Sequence, residues 1–135
     1  MDVHQNEGMD RDDVMTWVAR YEDAWRAGDL DAVGEIFSAG ARYKSSPYED
    51  PMVGHAAIRA FWIDDEDDVF TMTASPVAVD GRDAVVRVEV RYGEPVRQEY
   101  LDLWVLRFDE DGRVENFEEW AYWPDKPFAA APSDS

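Results

Sequence analysis

The chain has 135 residues, a net charge of −18 and no cysteine. A length of this order makes one domain around one core, and a 45% hydrophobic content with six Trp, six Tyr and six Phe is enough to build it. So acidic a surface repels nucleic-acid phosphates and anionic lipid headgroups, so neither is expected as a partner, and the lack of cysteine excludes disulfides, thiolate catalysis and cysteine-based zinc sites.

Residues 1–10 read as a flexible arm. Their polar, acidic character does not fit a signal peptide. No apolar run approaches the ~20 residues of a membrane span, and a cytoplasmic location is expected. From Arg11 a helical period begins, with Val14, Trp17, Val18, Tyr21, Ala24 and Trp25 on one face. Asp12 and Asp13 suit its positive end. Gly28 reads as its stop and Asp29 as the cap of a short second helix that carries Leu30, Val33 and Phe37 inward.

Gly40 is expected to break the chain before a strand over 41–45, which Pro47 and Pro51 close off. A third helix follows Gly54, from His55 to about Ile63, and the acidic run Asp64 to Asp68 reads as a solvated loop. That run lacks the alternating ligands and central glycine of a calcium loop. Val69 to Val79 contains Pro76 and is expected at a sheet edge or bulge. Ala84 to Tyr92 alternates, with Val86, Val88 and Val90 on one face and Arg87, Glu89 and Arg91 on the other. Two further strands, Arg97 to Phe108 and Val114 to Tyr122, flank the turn Asp109-Glu110-Asp111-Gly112. The single domain spans 11–124, and 125–135 reads as a flexible tail.

Three helices followed by strands imply an α+β fold with the helices on one face of the sheet. The strand Arg97 to Phe108 is apolar on both faces. One carries Tyr100, Asp102, Trp104, Leu106 and Phe108; the other carries Leu101, Leu103 and Val105. The helices cover only one of them, so the other is expected to pair with a second copy in a homodimer.

Three segments carry a family resemblance. They are Arg20-Tyr21 with Ala24-Trp25-Arg26-Ala27-Gly28-Asp29-Leu30-Asp31 and Ile36-Phe37; Gly54-His55-Ala56-Ala57-Ile58-Arg59-Ala60-Phe61-Trp62; and Leu106-Arg107-Phe108 with Asp111-Gly112-Arg113-Val114. Over about residues 12–123 the chain resembles the ketosteroid-isomerase-like, SnoaL-like superfamily, which includes nuclear transport factor two-like proteins and limonene epoxide hydrolases. The resemblance implies a cone, a curved antiparallel sheet wrapped around three N-terminal helices with a central pocket, and commonly a homodimer through the outer sheet face. It carries a ketosteroid isomerase's tyrosine onto Tyr21, its oxyanion-holding acid onto Trp104 and its base onto Ser45 or Ser46. With two of the three groups replaced, steroid isomerisation is not expected. The epoxide-hydrolase relatives' last-strand carboxylate falls on Glu119, and their Arg-x-Asp is similar to Arg87-Val88-Glu89, which requires that charged face to point inward.

The expected ligand is a small apolar or aromatic molecule in the pocket. Glu119 is the candidate base, with Asp102 or Tyr21 as the acid; the alternatives are a solvent-facing glutamate, a rim aspartate and a core tyrosine. Two carboxylates in one apolar pocket push one pKa upward, and Glu119 is expected beside Trp104 and Tyr43 with a raised pKa. Tyr43, Trp62 and Trp104 are expected as pocket walls, His55 as structural or mouth-lining, and Trp17 and Trp25 as core. With no phosphate-binding glycine loop, histidine pair at metal spacing or nucleophile elbow, no cofactor or metal is expected. Cofactor-free acid–base chemistry, a non-catalytic binding module and a scaffold whose cone its own aromatics plug are the three readings left.

Overall fold

The computed structural model describes residues 9–63 and 70–124. The amphipathic stretch forms α1, Arg11–Ala27, and buries Val14, Trp17, Val18, Tyr21 and Ala24. Asp10 is its N-cap. The Asp10 carboxylate accepts the Asp13 N–H at 2.8 Å, and the Asp13 carboxylate accepts the Asp10 N–H at 3.1 Å, so two otherwise orphaned donors are satisfied reciprocally. Gly28 ends the helix at φ 64°, a left-handed conformation that a residue without Cβ adopts freely. Asp29 then caps a 3₁₀ turn, Leu30–Ala32, and α2, Val33–Ile36, follows.

The chain becomes strand earlier than its pattern suggests. Phe37 opens β1, Phe37–Lys44, and is fully buried there. Gly40 does not break the chain. It lies between Phe37 and Arg42, where the register against the neighbouring strand shifts, so it sits in a bulge. A two-residue strand, β2, Met52–Val53, pairs back onto β1, and α3 spans His55–Ile63. Four strands then form an antiparallel meander: β3, Phe70–Asp80; β4, Asp83–Tyr92; β5, Gln98–Phe108; and β6, Val114–Tyr122. β3 is an edge strand whose register shifts at Pro76.

One feature of the sheet corrects the expectation. It is mixed, not antiparallel: the order is β2-β1-β6-β5-β4-β3, and β1 runs parallel to β6. Parallel neighbours need a long crossover, and everything from β2 to β5 supplies it here. The hairpin between β5 and β6 is tied to β1 through Asp109. Its carboxylate accepts the backbone N–H of Asp111 at 2.8 Å and of Arg113 at 3.0 Å, and a short hydrogen bond from the Ser38 hydroxyl.

The helices lie on the inner face of the curved sheet. Trp17 anchors α1 there: its indole N–H donates to the Ile36 carbonyl at 2.8 Å, and its ring meets Phe37 and Phe108 edge-on. Val86 and Val88 of β4 are fully buried, whereas Arg87, Glu89 and Arg91 point outward into ion pairs with one another and with Glu99 at 3.5–3.6 Å. The inward-facing Arg87-Val88-Glu89 arrangement is therefore not formed. The outer face of β5 carries Leu101 and Leu103 at 46% and 42% exposure, opposite Tyr122 and Trp120 of β6 at 59% and 42%.

Met9 is already anchored, its N–H donating to the Gly81 carbonyl at 2.8 Å. The acidic run Asp64 to Asp68, residues 1–8 of the arm and the tail 125–135 lie outside the described residues. Among the described residues, no helix is long and apolar enough to cross a membrane.

Candidate functional site

Strand alternation on β5 and β6 builds one wall of a cavity. Tyr100, Asp102 and Trp104 share the inner face of β5, and Glu119 and Ala121 that of β6. Trp104 stands directly opposite Glu119, and Asp102 opposite Ala121. Asp102 and Glu119 are therefore diagonal neighbours, a spacing that carboxylate side chains can bridge. α1 contributes Tyr21 and Trp25; β1 and the residue after it, Tyr43 and Ser45; α3, Phe61; and the far side of the meander, Phe70, Met72, Val90 and Tyr92. The cavity holds about 310 Å³, at the lower end of the ~300–1,000 Å³ range of small-ligand sites. The aromatic side chains narrow the cone without filling it.

Asp102 and Glu119 are the two carboxyl groups among the described lining residues. Asp102 is 4% exposed. Burial pushes its pKa up, and hydrogen bonding with Glu119 together with the nearby Trp104 indole offsets part of that rise. The Asp102 Oδ1 atom and the Trp104 indole N–H each lack a partner of good hydrogen-bond geometry. Above the pair, the Tyr21 and Tyr43 hydroxyls share a hydrogen bond of 2.8 Å. Burial holds the Tyr21 pKa well above the ordinary phenol value, and Tyr43 and the negative charge of Glu119 add to the rise. Tyr21 is thus held neutral. It is packed between Phe117, stacked at 5.7 Å, and Trp104 at 4.7 Å.

Five of the seven residues singled out from the sequence meet in this cavity: Tyr21, Tyr43, Asp102, Trp104 and Glu119. Trp62 and His55 do not line it. Trp62 packs behind the wall against Tyr21 at 5.3 Å and Trp25 at 5.4 Å. His55 Nε2 lies 2.9 Å from the Phe37 carbonyl and pins α3 to β1. Trp25, read from the sequence as core, lines the cavity and stacks on Tyr21 at 5.8 Å. Tyr92, not among the residues singled out from the sequence, also lines the cavity and continues the inward face of Val86, Val88 and Val90. Tyr100 was placed on the Asp102 face without being counted as a wall. Among the described residues, no group of His, Asp and Glu is placed to hold a metal ion.

With this geometry in place, the comparisons with known proteins are specific about class. Residues 18–117 match the SnoaL-like domain family, and the chain belongs to that family. A candidate ketosteroid isomerase from Kribbella flavida DSM 17836 is similar in fold: TM-score 0.67, 18% identity, 88% of this chain and 83% of that one covered. The epoxide hydrolase/cyclase-like enzyme SalBIII, which has a role in pyran ring formation in the polyether salinomycin, also superposes at a TM-score of 0.67, with 20% identity over 82% of this chain and 90% of that one. A candidate polyketide cyclase from Sinorhizobium meliloti shares 26% identity at a TM-score of 0.57, over 77% and 93% of the two chains. No curated protein matches the sequence significantly.

Proposed function

We propose that this protein binds a small molecule in the cone and carries out cofactor-free acid–base chemistry on it through the Asp102–Glu119 pair. The observation that carries this reading is the hydrogen-bonded carboxyl pair inside a mostly aromatic cavity. A buried carboxyl pair divides its protons unequally, so one member serves as base while the other is still an acid. Glu119, the less buried member, is the base once the shared proton has passed to Asp102, and it then takes a proton from water or from a substrate hydroxyl. Asp102 or the Tyr21 hydroxyl is the acid that meets the oxygen on which charge develops. Opening an epoxide, by water or by an internal hydroxyl, needs those two groups and nothing more, and the likeness to SalBIII makes it the first reaction to test.

The experiment is a panel of small epoxides and hydroxy-epoxides with products resolved by chiral chromatography. Turnover above the buffer rate that disappears in Glu119→Gln supports the reading. Ligand binding without turnover across the panel supports instead a non-catalytic binding module, which the narrow aromatic cavity also favours. The same proposal includes a homodimer through the outer face of β5 and β6, where Leu101, Leu103, Trp120 and Tyr122 are exposed side by side.

A further inference from the structure

The lining of the cavity is one-sided in charge. Trp25, Phe70, Tyr92, Tyr100 and Trp104 present aromatic surface to it, Asp102 and Glu119 present carboxyl groups, and none of the described lining residues is Arg, Lys or His. Arg26 does stand over the Phe70 ring, 4.2 Å from its centroid. Its guanidinium, however, is taken up by Glu22 at 2.7 Å and by the Phe70 carbonyl at 2.9 Å, and it does not line the cavity. The Asp102 Oδ1 atom is buried on a residue that faces the cavity, and the nearby Trp104 indole N–H does not meet it with good hydrogen-bond geometry; such an atom is costly unless something supplies a better donor.

Each ligand class meets this surface differently. An anion is repelled both by the carboxyl pair and by the negative faces of the rings. A neutral apolar ligand fills the space and leaves Asp102 Oδ1 unmet. A protonated amine offers N–H donors to the carboxyl oxygens and positive charge to the aromatic faces, and desolvated sites are where that attraction is largest. The chain's net charge of −18 also draws cations toward it.

We propose that the ligand of this cavity carries an ammonium group on an aromatic or alicyclic body, with the Asp102–Glu119 pair as its counter-charge and the ring faces of Trp25, Tyr92, Tyr100 and Trp104 around it. The inference rests on the cavity being a ligand site and does not require that it catalyse anything. Binding then favours the charged form of the carboxyl pair, so a cation releases a proton as it enters and binds less tightly as the medium is acidified. Among the described residues, the other titratable groups sharing the cavity are phenols: Tyr21 on α1, Tyr43 on β1, Tyr92 on β4 and Tyr100 on β5. Phenols remain neutral throughout the acid range, so the acid limb of binding reports the carboxyl pair.

The test compares benzylammonium with benzyl alcohol, a near-isosteric probe that has a donor but no charge. Binding is followed by NMR through the Trp104 indole N–H. Benzylammonium is expected to bind at least about tenfold more tightly at neutral pH, with the preference shrinking on acidification and lost in Asp102→Asn and in Glu119→Gln. The second variant changes the less buried partner and keeps the test available if the first does not fold. Equal or tighter binding of benzyl alcohol overturns the cationic ligand and leaves the cavity as a ligand site. Failure of both probes to bind overturns both.

Discussion

Trp104 and Glu119 face each other across the β5–β6 ladder. The pairing places an aromatic wall beside one carboxyl group and puts the other, Asp102, on the diagonal within hydrogen-bond reach.

Asp102 should make stability depend on pH in a definite direction. Its folded pKa is raised above the unfolded value, chiefly by burial. Between those two values the folded state holds more protons than the unfolded state, so this residue's contribution makes stability fall as pH rises through the window. Asp102→Asn is expected to be at least as stable as the parent at pH 8 and to flatten that fall, measured by urea unfolding from pH 4 to pH 8. A variant that is less stable than the parent at pH 8 and keeps the same slope would show that burial of the charge is not what Asp102 contributes.

Tyr21→Phe removes one partner of the 2.8 Å hydroxyl pair with Tyr43. A loss of about 1–2 kcal/mol in stability is expected. If Tyr21 donates to the reacting oxygen, kcat falls more than KM rises on whichever epoxide is turned over. Unchanged kcat would reduce Tyr21 to a wall.

Leu103→Glu puts a charge at the centre of the exposed outer patch, opposite Trp120. Sedimentation at micromolar concentration is expected to give a dimer for the parent and a monomer for the variant, with the same circular dichroism for both. A monomeric parent removes the proposed interface.

No turnover of a β,γ-unsaturated ketosteroid above the buffer rate is expected. Trp104 stands where the resemblance puts the oxyanion-holding acid, and Ser45, which lines the cavity, stands at one of the two positions it allows for the base. Neither can exchange the proton required. Conjugation of the steroid that is lost in Tyr21→Phe would reverse this conclusion.

Asp109→Ala unties the hairpin from β1 and leaves the Asp111 and Arg113 N–H groups without their acceptor. The expected loss is about 1–3 kcal/mol in denaturant melts. Binding at the distant cavity should persist while the protein remains folded.

The elements with a clean period were legible in advance. The six apolar positions of α1, the valines of β4 and the two-faced pattern of β5 each point one way, because a 3.6 or 2.0 repeat fixes which side chains are buried. The inward turn of Glu119 followed from the family likeness and not from the sequence around it, since Glu118 and Glu119 are adjacent and only the register decides which of them enters the cone. Gly40 misled because glycine marks a break and a bulge alike. The parallel pairing of β1 with β6 was invisible because nothing local to either strand encodes a partner about 70 residues away. Trp62 and Trp25 were exchanged between wall and core because both lie on apolar helix faces and pack against each other, so the helical period alone does not say which of them meets the cavity.

The position of β6 between β1 and β5 has a consequence for how the molecule comes into being. Among the described residues, the strand that comes latest in the sequence is an interior member of the sheet, so the β1–β2 pair has no hydrogen-bonded neighbour on its other side until residues 114–122 arrive. The same segment brings Glu119. The step that joins the two parts of the sheet therefore also completes the carboxyl pair, since Asp102 is already present on β5. Sequence-distant pairing of this kind is intrinsically slow to form. A nascent chain that stops short of β6 lacks the join and Glu119 together.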